Sequence, residues 1–299
     1  MAEVIRTVSL VKRFRNTLVI DHLDLHIPEE SVYGLIGPNG AGKSTTIKIL
    51  VNALLPTSGH AELFGRDSRT LMPEHFTQIG YVSENQQLPG WMTVDDFMDY
   101  LRPFYPNWDD RRAHELLRHF ELPPDRRIRE LSHGMRMKAA LASSLAYRPR
   151  LIILDEPFTG LDPLVRDELI EGTLQAAAEA TILVSCHDLS DIETFVSHIG
   201  YLDRGRLQFS EEMASLASRF REVEVTPATS FPPPRLWPAA WLNAEHNGAV
   251  LRFVDSDFDQ QRTSAAVERL FGNEVHVSAK CMPLRSIFLT LAKAGRKAA

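Results

Sequence analysis

Apolar residues recur along this chain with two different spacings, which together predict an α/β fold. Short runs that are apolar at every position or every second position predict strands, and they cover residues 4–10, 23–27, 31–36, 61–64, 79–82, 151–154, 181–185, 199–202 and 207–209. Longer segments with apolar residues three or four positions apart predict helices, at 46–54 and through much of 91–148. Run 151–154 is apolar throughout, as is typical of a strand buried on both faces of a parallel sheet.

Residues 91–148 predict a mainly helical subdomain inside this α/β region. Thr93 is expected to begin its first helix, with Asp96 in the position of a capping box. Ser132 is the predicted N-cap of the last helix of the segment. Prolines between the segments, and Pro149 after the last one, end these helices.

The last part of the chain predicts a small α+β domain of its own. Strands are expected at 223–225, 250–254 and 274–278, and helices at 263–271 and 284–291. Helix 210–220 leads into this domain, and prolines 232–234 and 238 make a stiff connection within it. We therefore place one domain at residues 1–215 and a second at 216–299, and we find no candidate chemistry in the second.

Composition and charge narrow the class of protein. The 299 residues are 44% hydrophobic and 24% charged, which is ordinary for a globular protein with a sizeable core. A net charge of -6 and a pI of about 6.0 argue against a broad nucleic-acid surface, so no nucleic-acid partner is expected. Cys186 and Cys281 lie far apart, which favours a reduced, cytosolic compartment. Neither a signal peptide nor an apolar run long enough to span a bilayer is visible, so membrane association is expected only through a partner.

Candidate chemistry centres on a glycine-rich stretch between a predicted strand and a predicted helix. It fits the phosphate-loop pattern G-x-x-x-x-G-K-[ST] and consists of Gly37, Pro38, Asn39, Gly40, Ala41, Gly42, Lys43, Ser44 and Thr45. Glycines allow backbone N–H groups to converge on an anion, and the helix that follows adds the positive end of its dipole. Lys43 can place a cation against the β- and γ-phosphates, and Ser44 can give a hydroxyl to Mg²⁺. The stretch predicts a site for a nucleoside triphosphate.

Further candidate residues come directly after buried strands. Asp155 can hold Mg²⁺ through water, and Glu156 can orient or deprotonate the attacking water. His187 can reach a γ-phosphate from the end of the next predicted strand. Adjacent strand residues face opposite ways, so Cys186 is predicted to be core and to form no dyad with His187.

Two features remain ambiguous from the residues alone. Phe14 follows the first strand, where an aromatic ring either stacks on an adenine or packs in the core or at the edge of the sheet. Ser132 and Gly134 begin a helix, which is either a second phosphate site or an ordinary capped helix.

Taken in order, these stretches resemble an ATP-binding cassette (ABC) ATPase over residues 1–215. The phosphate loop resembles the Walker A element, Asp155 and Glu156 resemble Walker B with its catalytic glutamate, and His187 resembles the switch histidine. Residues 131–135 resemble the family signature L-S-G-G-Q. The resemblance implies a phosphate-loop ATPase core with a helical subdomain, followed here by the small α+β domain.

The resemblance also implies ligands and roles. ATP and Mg²⁺ are the expected ligands, with Lys43, Glu156 and His187 acting in hydrolysis and Phe14 stacking on the adenine. In such proteins two cassettes dimerise head to tail. Ser132 and Gly134 of one chain then close over the ATP that Lys43 of the other chain holds.

The sequence departs from the family pattern at four positions. His133 and Met135 stand where the signature usually has Gly and Gln, although Ser132 is kept. Glu84 stands where many members have a metal-contacting Gln, and we expect it to meet Mg²⁺ directly or through water. Phe158 replaces a common small hydroxyl residue.

Segments around residues 82–93, 104–108 and 283–291 are similar to bacterial single-cassette exporter ATPases. We therefore expect a transporter subunit that drives a separate transmembrane permease subunit, as a homodimer or heterodimer on the cytoplasmic side of the membrane. The alternative is a soluble ABC ATPase acting on ribosomes or DNA. One cassette and no sustained heptads argue against that alternative.

Overall fold

The computed structural model describes residues 2–227, 237–247, 250–272 and 275–298. They fall into two compact units, Met1–Ser210 and Glu211–Ala299. The predicted boundary after residue 215 lies inside a helix of the second unit, Met213–Arg219. The predicted proline connection at 232–234 lies outside the described residues. Among the helices of the described ranges, none has the length and apolarity to cross a membrane.

The first unit contains both strands and helices. Its strands are β1 (Glu3–Phe14), β2 (Thr17–Leu23), β3 (His26–Pro28), β4 (Val32–Ile36), β5 (Ser58–Leu63), β6 (Arg66–Asp67), β7 (Ile79–Ser83), β8 (Leu151–Asp155), β9 (Thr181–Cys186), β10 (His198–Asp203) and β11 (Arg206–Glu212), the last of which runs on into the second unit. Its α-helices are α1 (Lys43–Leu50), α2 (Pro73–Phe76), α3 (Val94–Leu101), α4 (Asp110–His119), α5 (His133–Leu145) and α6 (Pro163–Ala176). Short 3₁₀ turns lie at Ser68–Thr70, Arg102–Phe104, Ile128–Glu130 and Leu189–Asp191.

A six-stranded sheet positions the candidate site. Its order is β11-β10-β4-β9-β8-β7, and the neighbours from β10 to β7 pair in parallel. Every residue of β8 and β9 is buried, which confirms the parallel strands expected from the continuous apolar runs. Because the strands are parallel, the carboxyl ends of β4, β7, β8 and β9 meet at one edge of the sheet.

A second, antiparallel sheet of the same unit has the order β2-β1-β5-β6, with β3 also paired to β1. Here the sequence-based expectation was incomplete. The single strand expected at 23–27 is two strands, β2 and β3, which pair with different parts of a long β1. Apolar residues at every second position across 23–27 predict one strand. They do not show that the chain stops pairing with one part of β1 and then pairs with another part of it.

The helical segment contains α3, α4 and α5. The capping box of α3 is confirmed, since Thr93 Oγ1 accepts from the Asp96 N–H at 3.1 Å and Asp96 Oδ2 accepts from the Thr93 N–H at 3.0 Å. Ser132 caps α5 as predicted, because its Oγ accepts from the Met135 N–H at 3.2 Å. These caps fix where each helix starts.

The second unit is a four-stranded antiparallel sheet with helices. Its strands are β12 (Arg221–Pro227), β13 (Trp241–Asn247), β14 (Val250–Asp255) and β15 (Val275–Cys281), and its helices are α7 (Met213–Arg219), α8 (Gln260–Phe271) and α9 (Leu284–Ala298). The order is β13-β14-β12-β15. β13 was not predicted, because its strand period is obscured by polar residues. Trp241, at its start, stacks on Phe253 with ring centroids 3.8 Å apart, so tertiary packing holds the strand in the sheet.

Candidate active site

The phosphate loop connects β4 to α1 and depends on its glycines. Gly40 has φ 81° and Gly42 has φ 111°, in the left-handed region that side chains disfavour. A Cβ on Gly37 would lie 2.1 Å from the Leu202 carbonyl oxygen, and one on Gly42 would lie 2.9 Å from the Val19 carbonyl oxygen. Larger residues therefore cannot occupy these two positions without moving the backbone. Helix α1 begins at Lys43, before the predicted residue 46, because Gly42 is its N-cap.

Lys43 projects from the first residue of α1 and is almost fully buried. Its Nζ donates to the carbonyl oxygens of Gly37 at 2.7 Å and Pro38 at 3.3 Å. The same ammonium lies 3.0 Å from Glu156 Oε1. The lysine therefore lies across its own loop, with its charge offset by the carboxylate at the end of β8.

Asp155 and Ser44 are brought together as the sequence predicted. Ser44 Oγ donates to Asp155 Oδ1 at 2.9 Å. A second hydroxyl, that of Ser185 on β9, donates to the same oxygen at 2.7 Å. Ser185 Oγ also accepts from the Glu156 N–H at 2.9 Å. Ser185 therefore holds both acidic residues, and sequence reasoning missed it because a serine at the end of a buried strand carries no motif.

Glu156 lies in the left-handed region, with φ 51°, which is uncommon for a residue with a side chain. Its Oε2 accepts a hydrogen bond from His187 Nδ1 at 2.9 Å and from Thr159 Oγ1 at 3.4 Å. Burial raises the pKa of Glu156, but the hydrogen bonds from His187 and Lys43 outweigh it and hold this pKa below its ordinary value. The carboxylate is therefore kept ionised, which suits a group that must orient a water molecule.

Several of these side chains line a cavity of about 440 Å³, within the range of small-molecule sites. It is lined by Val19, Asn39, Gly40, Gly42, Lys43, Ser44, Thr45, Glu84, Glu156, Thr159 and His187. Glu84 follows β7, and its N–H donates to the Asp155 carbonyl oxygen at 3.1 Å. The structure thus collects at one sheet edge residues that are more than a hundred positions apart.

The oxygen donors of this cavity fit a magnesium ion. The Ser44 hydroxyl donates to the Asp155 carboxylate. Ser44 and Glu84 line the cavity, and Asp155 lies behind Ser44, outside that lining. Carboxylate and hydroxyl oxygens are the ligands that Mg²⁺ prefers, together with water and phosphate. The predicted set of Ser44, Asp155 and Glu84 is therefore a suitable one.

Other predicted residues do not line the cavity. Gly37 and Pro38 contribute their carbonyl groups to Lys43, and Ala41 is buried within the loop. Phe14 is 45% exposed at the end of β1, so it is not a core residue. Its role in stacking on adenine stays a prediction. The Lys12 ammonium lies 4.9 Å from its ring centroid.

Ser132 and Gly134, at the start of α5, also lie outside the lining of this cavity. Gly134 has a packing role of its own, because a Cβ there would lie 2.7 Å from Val165 Cγ1. The contact of these two residues with ATP stays a prediction.

Cys186 is buried, as predicted, and takes no part in the acid cluster. Its thiol donates to the Asp188 carbonyl oxygen at 2.9 Å. Burial raises the pKa of Cys186 to about 12, so the thiol stays protonated and is a poor nucleophile. His187, the next residue, instead reaches Glu156.

The same region of the chain matches known proteins. Residues 20–159 match the family model for ABC transporters. The bacitracin transport ATP-binding protein BcrA of Bacillus licheniformis is 32% identical over 214 residues, which are 69% of this chain and 69% of that protein. The chain belongs to the ABC transporter family. Another member, the daunorubicin/doxorubicin resistance ATP-binding protein DrrA of Streptomyces peucetius, is 36% identical over 211 residues, which are 68% of this chain and 63% of that protein.

Solved ABC cassettes share this fold. One structure, described as the ATP binding subunit of an ABC transporter, is 27% identical with a TM-score of 0.66 and covers 72% of this chain and 92% of its own. The first unit is therefore an ABC cassette. The chain is an ATP-binding and ATP-hydrolysing subunit of an ABC transporter. The predicted family, fold class and reaction are confirmed.

Proposed function

We propose that this ABC cassette drives export through a separate membrane subunit, which it contacts from the cytoplasmic side. Two relatives support transport out of the cell, since one is named for bacitracin transport and the other for resistance to daunorubicin and doxorubicin. These relatives favour transport over an action on ribosomes or DNA. In this proposal the translocation path belongs to another chain.

Hydrolysis in this proposal begins with a change of partner for Lys43. Its ammonium, which lies 3.0 Å from Glu156 Oε1, turns to the β- and γ-phosphates when ATP enters the loop. Glu156 is then free to orient water toward the γ-phosphate, while His187 keeps its hydrogen bond to the other carboxylate oxygen. Mg²⁺ held by Ser44, Asp155 and Glu84 would neutralise phosphate charge.

The observation that carries the proposed assembly is the position of the signature. Ser132 and Gly134 lie outside the cavity that Lys43 and Glu156 line in the same chain. The free N–H groups at the start of α5 are suited to an anion, and a second cassette placed head to tail would bring them to the phosphates. Each ATP then lies between Lys43 of one chain and Ser132 of the other.

A mixing experiment tests this arrangement. Lys43→Ala and Ser132→Arg homodimers should each be inactive, because both of their sites are damaged. In a mixed dimer one site carries both lesions and the other carries none. Random pairing makes half of the dimers mixed, so about a quarter of all sites should be intact in a two-fold assembly.

The control mixes Lys43→Ala with Glu156→Gln, whose lesions lie in the same half-site. In that mixed dimer no site can hydrolyse ATP, so no activity should return. Light scattering with ATP checks that dimers form in both samples. Equal recovery of activity in the two mixtures would contradict the shared site.

Membrane coupling is tested by purification of the tagged chain from solubilised membranes. We expect a membrane-spanning subunit to copurify, and we expect transport-dependent ATP turnover in the reconstituted complex. A chain that purifies only with ribosomes or DNA would refute the export proposal.

A further inference from the structure

His133, the family departure in the signature, makes a contact that reaches toward the hydrolytic site. It is the first residue of α5, and its Nε2 lies 3.2 Å from the carbonyl oxygen of Thr159. A carbonyl oxygen can only accept, so the ring nitrogen is the donor. The start of the signature helix is thereby joined to the loop that follows Glu156.

Thr159 touches Glu156 from the other side of the same loop. It lines the nucleotide cavity, and its Oγ1 donates to Glu156 Oε2 at 3.4 Å. His187 Nδ1 bonds the same carboxylate oxygen at 2.9 Å. Thr159 therefore uses its main chain to contact His133 and its side chain to contact Glu156.

The backbone of this loop needs such support. Glu156 has φ 51° and Gly160 has φ 71°, so left-handed residues stand on both sides of Thr159. A left-handed conformation at a residue with a side chain costs free energy and persists only where surrounding contacts hold it. The hydrogen bond from His133 to Thr159 is one such contact, and it lies between the two left-handed residues.

Packing beside His133 shows that the helix start itself is fixed. A Cβ on Gly134 would lie 2.7 Å from Val165 Cγ1 and 3.6 Å from Leu161 Cδ2. The first turn of α5 therefore lies directly against the loop and the start of α6. This close packing places the His133 ring beside the Thr159 carbonyl group.

We propose that His133 is a positioning residue for Glu156, acting through Thr159, and that it ties the signature helix to the hydrolytic carboxylate of the same chain. His133 does not line the nucleotide cavity of its own chain, so within that chain its effect falls on the geometry of the carboxylate. The inference rests on the role proposed above for Glu156. In the proposed dimer, the signature residues of a chain contact the ATP held by its partner, and Glu156 acts on the ATP held by its own chain. The contact through His133 connects these two parts of one chain.

The test compares three substitutions by steady-state ATP hydrolysis. His133→Ala should lower kcat by about three- to tenfold, the effect of losing one hydrogen bond, and leave KM for ATP within about twofold. His133→Gln should restore kcat to within about twofold, because its amide can donate to the same carbonyl oxygen. The matched control is His114→Ala, which removes another ring nitrogen to carbonyl contact, here to Asp110 on exposed α4, and should leave both constants unchanged.

A double-mutant cycle separates positioning from simple stabilisation of the helix. Thr159→Val keeps the main-chain contact with His133 but removes the hydroxyl, and it should lower kcat as His133→Ala does. Adding His133→Ala to Thr159→Val should cause no further loss. If the two losses multiply, if KM rises in place of a fall in kcat, or if His133→Gln folds normally yet fails to restore activity, the positioning role is wrong.

Glu156→Gln, assayed alongside, separates this inference from the proposed function. If Glu156→Gln retains normal turnover, the role of Glu156 fails and the positioning role fails with it. If Glu156→Gln is inactive while His133→Ala behaves like His114→Ala, only the positioning role is refuted. Should His133→Ala not fold, His133→Gln and Thr159→Val still decide the outcome.

Discussion

Ser185→Ala is the substitution whose effect the structure defines most closely. Ser185 has no exposed surface, and its Oγ accepts from the Glu156 N–H at 2.9 Å while donating to Asp155 Oδ1 at 2.7 Å. Alanine removes both interactions and leaves the surrounding strands in place. The buried N–H of Glu156 loses its partner, and the Asp155 carboxylate keeps only the Ser44 hydroxyl on that oxygen.

The expected cost follows from these contacts. A buried donor left without a partner costs about 1–3 kcal/mol, and we take about 2 kcal/mol because Asp155 retains Ser44. For a unit of this size each kcal/mol lowers Tm by about 2–4 °C. The melting temperature of the cassette should therefore fall by about 4–8 °C.

Calorimetry of the purified protein and ATP turnover below the transition measure the two consequences separately. Turnover should fall by about tenfold or more, because the Asp155 carboxylate and the main chain of Glu156 each lose a hydrogen bond. The matched control is Ser143→Ala. That serine is also buried, but its hydroxyl donates at 2.8 Å to the Ala140 carbonyl of its own helix, so little stability and no activity should be lost.

An equal change of Tm and of turnover in the two serine variants would refute the reasoning. It would mean that Ser185 contributes only as a buried small residue. A normal Tm with lost turnover would place the effect on catalysis alone, and the estimated stability cost would be wrong.

Four further outcomes follow from the same geometry. Lys43→Ala should abolish most hydrolysis and weaken ATP binding without unfolding the chain, measured by turnover and nucleotide titration. The folded-state pKa of Glu156 is lowered from 4.5, so its stabilising contribution is present above that pH and is lost as pH falls through the lower folded value. The stability difference between wild type and Glu156→Gln, measured by denaturant titration, should therefore be constant near neutral pH and shrink below about 4.5. Gly134→Ala should destabilise by about 1–3 kcal/mol through its clash with Val165, and Val165→Ala should relieve it in the double variant. Removing residues 211–299 should leave a folded cassette that binds ATP, as tested by circular dichroism and nucleotide titration.

The sequence by itself determined the parts of this protein whose physics is local. A glycine-rich loop before a helix has its function in its own backbone, so Gly37 to Thr45 could be recognised without knowledge of neighbours. Continuous apolar runs indicated buried parallel strands, and parallel strands place their carboxyl ends together. Asp155, Glu156 and His187 could therefore be expected near one sheet edge, and the resemblance to ABC ATPases supplied their roles.

Only the tertiary structure decided which other groups hold those residues. Ser185 carries no motif and Thr159 had no role assigned to it, and each becomes important because β9 and the loop after β8 bring a hydroxyl within reach of an acid. The same holds for Gly134, whose need for a small side chain comes from Val165 on another helix. A hydrogen bond or a close contact between distant residues depends on the exact approach of two elements, and the period of apolar positions specifies which face is buried but not that approach. For this reason only the folded chain identified the residues that support the acids. It also showed that Phe14 is exposed at the end of β1.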